Sequence, residues 1–270
     1  SFNPHPSFYQ AFAAVTGLDR AEAGAAANQL LVGGETPLTH LIDSLYELAQ
    51  TASRTPAVAT RLAQNPPDVL AQLARLPEAE PFLAQFEVVL ARFGERTGAG
   101  YGSESSICTP TWREAPELAL QLVARYLESN EQAPAQARAR AQTVSATQVE
   151  TICAACDDPQ AVAELRHHLQ AAQRTMTVLE EHNHYIDQMA TSQLRYAALA
   201  AAGWLVAHGV LAMVDDVFWL QFEEILAALR APSALDGIVA SRKTQHAHWS
   251  TLEPPSLLGM PAADLPVAPP

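Results

Sequence analysis

An all-α, multi-helix fold is predicted by three observations. Ala, Leu, Gln and Glu dominate over Val, Ile and Thr, so strong helix formers are plentiful and strand formers scarce. Apolar residues recur at three- and four-residue spacing in several stretches. Many of those stretches open near a proline, which is tolerated in a helix's first turn. At 49% hydrophobic and 17% charged, the 270 residues are globular in composition and sufficient for one large or two small cores.

In chain order, residues 1–10 contain proline and read as an extended lead-in, followed by a short apolar stretch to Thr16. Residues 20–34 read as a helix ending at the Gly33-Gly34 pair. Thr36-Pro37 then opens a helix, with Thr36 as N-cap and Leu38, Leu41, Ile42, Leu45, Leu48 and Ala49 as its apolar stripe. Short helices are expected at 56–64 and 66–76, and a longer one at 79–94. The next segment, Gly98-Ala99-Gly100-Tyr101-Gly102, has three glycines in five residues and reads as a loop. Helix resumes from Pro116 to about 127, and a polar joint at 129–135 follows. Further helices are expected at 134–156, at 160–208 with a break near Asn183, in a short piece after Asp215-Asp216, and at 233–250. This organises the chain as a helical lobe over 1–128 carrying loop 96–110, a second lobe over 134–252, and a Pro-rich tail over 253–270.

The formal net charge of −13 argues against nucleic acid or an anionic membrane as partner, since both call for clustered Lys and Arg. The apolar run from Tyr196 to Met213 is Ala-rich and punctuated by His208, so it reads as a buried helix and not as a membrane span. Three cysteines make no disulfide framework, and the N-terminal residues lack the pattern of a secretory leader. A reducing cytoplasm is the expected location.

The most informative segment is Glu180 to Asp187. On a helix, Glu181, His184, Gln188, Ser192 and Arg195 share one side, with Tyr185 at the margin. A carboxylate, an imidazole and a guanidinium on one stripe can orient a hydroxyl, take its proton and neutralise a phosphoryl group. The same stripe also fits a solvated face laced with ion pairs. Two Glu-x-x-His pairs, Glu164/His167 and Glu181/His184, fit a di-metal helical bundle if further carboxylates join them. Cys153-x-x-Cys156 lies in a helical stretch and reads as two small packed residues more readily than as a redox pair. Arg96 beside the glycine loop suits phosphate, although the loop matches no Walker or dinucleotide pattern.

Three blocks together resemble the helical middle region of PEP-utilising enzymes of the PEP-synthase-like and rifampicin-phosphotransferase-like type. They are Phe93-Gly94-Glu95-Arg96 with Pro110-Thr111-Trp112-Arg113-Glu114-Ala115-Pro116; Glu181-His182-Asn183-His184-Tyr185-Ile186-Asp187-Gln188 with Arg195 and Asp215-Asp216-Val217-Phe218; and Arg242 to Gly259. The resemblance covers about residues 35–259 and is most specific in the second block. It implies a machine of three modules: an ATP-grasp module, a swivelling phosphohistidine module, and a helical region that holds a small-molecule acceptor.

This segment would then be the acceptor region, needing the other two modules in cis or in trans. It would bind no cofactor itself, ATP and Mg²⁺ belonging to those modules, and would be inactive alone. The expected catalytic residues are Glu181, His184 and Arg195, with His184 or Glu181 as general base. The expected substrate-binding residues are Arg96, Tyr101, Trp112, Arg113, His182, Asn183, Tyr185, Asp187 and Gln188, and loop 96–103 forms a lid or wall. Antibiotic-phosphorylating relatives tend to carry Arg-Glu-x-x-Lys where this chain has Glu180-Glu181-His182-Asn183-His184, so Arg195 or Arg96 would meet the phosphoryl group. The competing function is a noncatalytic helical docking module.

Overall fold

The computed structural model describes residues 5–32, 34–97, 107–129 and 132–253. Twelve α-helices and no strand are present among them; Thr97 and Thr111 form an isolated antiparallel bridge. The chain forms two compact units, Ser1–Leu194 and Arg195–Pro270.

In the first unit, α1 (His5–Thr16) contradicts the extended lead-in expected over 1–10. Pro6 lies in the first turn, where its missing N–H costs nothing, and Phe8 and Phe12 bury against later helices. Helix α2 (Arg20–Asn28) is capped by Asp19, whose carboxylate accepts from the N–H groups of Ala21 and Glu22. It stops at Asn28, short of the Gly pair, and Leu30 turns into the core there. The Thr36 cap is reciprocal: its hydroxyl accepts from Thr39 N–H while Thr39 Oγ1 accepts from Thr36 N–H, opening α3 (Pro37–Ser53).

Along α3, Leu41, Leu45, Leu48, Ala49 and Ala52 form the buried stripe. They meet α4 (Pro56–Gln64), α6 (Glu80–Phe93) and α7 (Glu117–Glu128) in a core that includes Phe82, Phe86, Phe93 and Trp112; the short α5 (Val69–Leu73) adds Leu73. Each fully buried Leu or Phe is worth about 1.5–3 kcal/mol over its exposed state.

A second core of the same unit joins α1 and α2 to α8 (Pro134–Ala154) and α9 (Pro159–His182). Cys153 is buried in it, and Cys156 follows the end of α8 with its thiol 3.8 Å from the Asp158 carbonyl. Arg138 of α8 pairs with Asp43 of α3 at 2.6 Å. Directly after α9 the helix widens into a π-helical segment, Asn183–Ala190, at the break expected near Asn183, and narrows again into α10 (Thr191–Ala207).

From Arg195 onward the second unit comprises the rest of α10, a 3₁₀ turn (Val214–Trp219), α11 (Phe222–Arg230) and α12 (Asp236–Trp249). Its core is Ala202, Leu205, Val210, Leu211, Val217, Ala228, Leu235 and Val239. Gly209 turns the chain after α10 at φ 71°, where a side chain would be strained. Arg242 donates to Glu224 and to the Trp219 carbonyl, and Lys243 donates to buried Asp216. No helix among the described residues is long and apolar enough to cross a membrane.

Candidate functional site

The candidate site is built where the base of the 97–111 segment meets the π-helical segment. Helix α6 ends at Phe93, and Gly94 turns the chain close against the Leu90 carbonyl, a space a Cβ would enter. Two backbone bonds then close the base of the segment: Trp112 N–H donates to Arg96 O (2.8 Å) and Arg113 N–H to Gly94 O (2.9 Å). Glu114 accepts from both the N–H and the hydroxyl of Thr111, at 3.0 Å each. Arg113 Nε donates to Glu95 at 3.0 Å.

The π-helical segment touches this base through Gln188, whose side-chain oxygen accepts from Thr97 N–H at 3.1 Å. One turn earlier, His184 is 6% exposed and lies edge-on to Phe93, ring centres 5.9 Å apart, and to Tyr185 at 4.8 Å. Its pKa is lowered, first by burial and then by the positive charges of Arg96 and Arg92. The imidazole is therefore neutral at neutral pH. Its Nδ1 is buried and has no hydrogen-bond partner among the described residues.

The stripe read from the sequence thus turns inward over most of its length. His184, Gln188 and Ser192 are buried, and the Ser192 hydroxyl bonds the Met189 carbonyl at 2.7 Å. Arg195 is also buried; it belongs to the second unit, where its guanidinium lies 4.9 Å from the Phe218 ring centre. Glu181, His182 and Tyr185 are exposed, and Asn183 and Asp187 half-buried. Trp112 is a core residue, Arg113 is exposed, and Arg96 is buried. Tyr101 and the glycines 98, 100 and 102 lie outside the described residues. Thr97, Phe93 and Arg92 complete the surroundings of His184 and Gln188. Sequence reasoning assigns none of the three to the site, although Phe93 opens the first motif block and Thr97 follows Arg96 directly.

Among the described residues, no three His, Cys, Asp or Glu side chains converge as metal ligands. Glu164 and His167 are exposed, so the first Glu-x-x-His pair faces solvent.

The described residues form an all-α module whose base, closed by the Thr97–Gln188 contact, carries two of the motif blocks. The chain belongs to the family of the rifampicin phosphotransferase fourth domain, whose family model matches residues 3–181. It is 26% identical over 246 residues to the chondramide synthase cmdD of Chondromyces crocatus, covering 86% of this chain and 6% of that protein. It is 28% identical over 225 residues to the rifampicin phosphotransferase of Streptomyces sviceus, covering 80% of this chain and 25% of that protein. The chain therefore spans a quarter or less of the length of these relatives.

Proposed function

We propose that this chain is the acceptor-holding region of a PEP-synthase-like phosphotransferase, working with an ATP-grasp module and a phosphohistidine module supplied in cis or in trans. The observation that carries the reading is His184: a buried, neutral imidazole whose Nδ1 finds no protein partner among the described residues, beside cationic Arg96. A buried polar atom in that state calls for a partner, and a hydroxyl-bearing ligand supplies one. Arg96 is the cation assigned to the incoming phosphoryl group. Glu181 and Asp187 on the adjoining turns are the carboxylates available to an acceptor. ATP and Mg²⁺ are handled by the other modules, and catalysis here is mostly positioning and charge neutralisation.

The test is H184A in the intact protein, with ATP, Mg²⁺ and a panel of hydroxyl-bearing small molecules beginning with rifampicin. The expected result is loss of acceptor phosphorylation by about 100-fold or more with ATP-dependent histidine phosphorylation unchanged. Wild-type acceptor turnover in H184A overturns the assignment.

A docking module remains the second reading. It is favoured by the match to a chondramide synthase, a protein named for a different activity, over 86% of this chain. A module of that kind would bind no small acceptor and would be indifferent to H184A.

A further inference from the structure

Val178, Ile186 and Leu194 are apolar, eight positions apart, and 60%, 53% and 56% exposed. Leu179 and Tyr185 stand beside them, also open to solvent. Exposed His182 and Ala190 fill the positions between, so the row reads Val178, His182, Ile186, Ala190, Leu194 at a constant spacing of four. In a plain α-helix a four-residue row drifts by about 40° at each step, enough over this length to carry its last residue toward the far side. The π-helical segment bonds each residue to the fifth along and so turns less per residue. It cancels the drift, as the burial pattern records: His184, Gln188 and Ser192 stay inward while Ile186, Ala190 and Leu194 stay outward. The product is a straight apolar ridge about 24 Å long. It lies on the opposite side of the helix from His184 and wholly within the first unit.

A contiguous apolar face on the order of 500 Å² exceeds the scattered single residues of an ordinary surface and marks an interaction site. A membrane surface does not fit as its cover, because a helix that lies in that interface carries Lys and Arg on its polar face. None occurs from Val178 to Leu194, and the chain's net charge is −13.

We propose that the ridge is a homodimer interface, two copies of this chain pairing their ridges antiparallel about a two-fold axis through Ile186. The ridge is self-complementary in that register, as an isologous contact requires. Ile186 meets Ile186 of the copy, and Val178 meets Leu194. Bulky His182 meets small Ala190, so large faces small as good packing demands. The acidic side chains clear one another, Glu181 falling opposite Thr191 and Asp187 opposite Tyr185. A parallel pairing would set Glu181 on Glu181 and Asp187 on Asp187. Two such ridges bury on the order of 1,000 Å² in total, the lower end for a specific interface, so the dimer is weak, with a Kd in the micromolar range. The inference does not rest on the acceptor-holding reading.

The experiment is sedimentation equilibrium of the intact protein across the micromolar range at low and high salt. A reversible monomer–dimer equilibrium is expected. It should tighten as salt rises, because the charge of −13 on each copy repels the other until it is screened. I186K and I186Q, at an exposed position, are expected to weaken the dimer by about tenfold or more, with circular dichroism and the thermal melt unchanged. Single cysteines then read the register under copper-catalysed oxidation by oxygen. I186C should give a covalent dimer beyond that of the parent chain, whereas V178C and L194C should couple to each other when mixed and not each to itself. A protein that stays monomeric at every concentration overturns the proposal. So does a dimer indifferent to both Ile186 variants, which would place the interface elsewhere. Self-coupling of V178C and of L194C would overturn the antiparallel pairing.

Discussion

The side-chain oxygen of Gln188 accepts a hydrogen bond from the backbone N–H of Thr97, ninety-one residues earlier in the chain. Both residues are buried. This contact joins the base of the 97–111 segment to the π-helical segment, and so brings two of the three motif blocks to one place.

Replacing Gln188 with Ala removes the acceptor of a buried donor. A buried N–H deprived of its partner costs about 1–3 kcal/mol. Urea denaturation of Q188A is expected to show that loss, and hydrogen exchange at the Thr97 amide should accelerate. An unchanged exchange rate would mean that the bond does not hold the base closed.

Gly94 has an ordinary helical φ of −63°, so its requirement is for space and not for backbone freedom. A Cβ there would press on the Leu90 carbonyl, a backbone atom that moves only with the end of α6. G94A is expected to destabilise the chain by about 1–3 kcal/mol, the usual range for overpacking. A thermal melt decides; a neutral effect would show that the turn relaxes freely.

His184 makes stability depend on pH in a defined direction. Its folded-state pKa lies below the ordinary 6.5, so the unfolded chain binds the proton first as pH falls. Stability is therefore complete above about 6.5 and declines below it, levelling only once the folded-state pKa is passed. Comparing urea midpoints near pH 7.5 and pH 5 should show a loss on acidification that is smaller in H184F. An equal loss in both would assign the acid sensitivity to other groups.

Arg242 ties the second unit together by donating to both Glu224 oxygens and to the Trp219 carbonyl. The pair is about a quarter exposed, which weakens its Coulombic share. R242K keeps the charge but not the fork that reaches three acceptors. Denaturation of the two variants is expected to place R242K nearer to R242A than to wild type, with R242A the less stable of the two. A wild-type-like R242K would show that charge alone suffices.

Much of the helical order was legible one residue at a time. The Thr36-Pro37 start, the opening at Pro56 and the end of α6 before Gly94 all follow from local rules about caps, prolines and periodicity. Helix α1 was not legible, because Phe8 and Phe12 gain their burial from α9, about 150 residues away in sequence. The candidate site was half legible. The stripe His184, Gln188 and Ser192 follows from helical spacing alone, but spacing is silent on whether a stripe faces water or a neighbour. Only the position of Phe93, Arg96 and Thr97 turns it into a buried polar face.

By itself, then, the sequence determined the all-α class, the helix starts and the motif blocks, since propensity, capping and periodicity act within a turn or two of the chain. The tertiary structure decided which polar residues are desolvated and which apolar ones stay open to solvent. Burial and the π-helical register depend on what packs against a helix, and that information resides in residues far away along the chain.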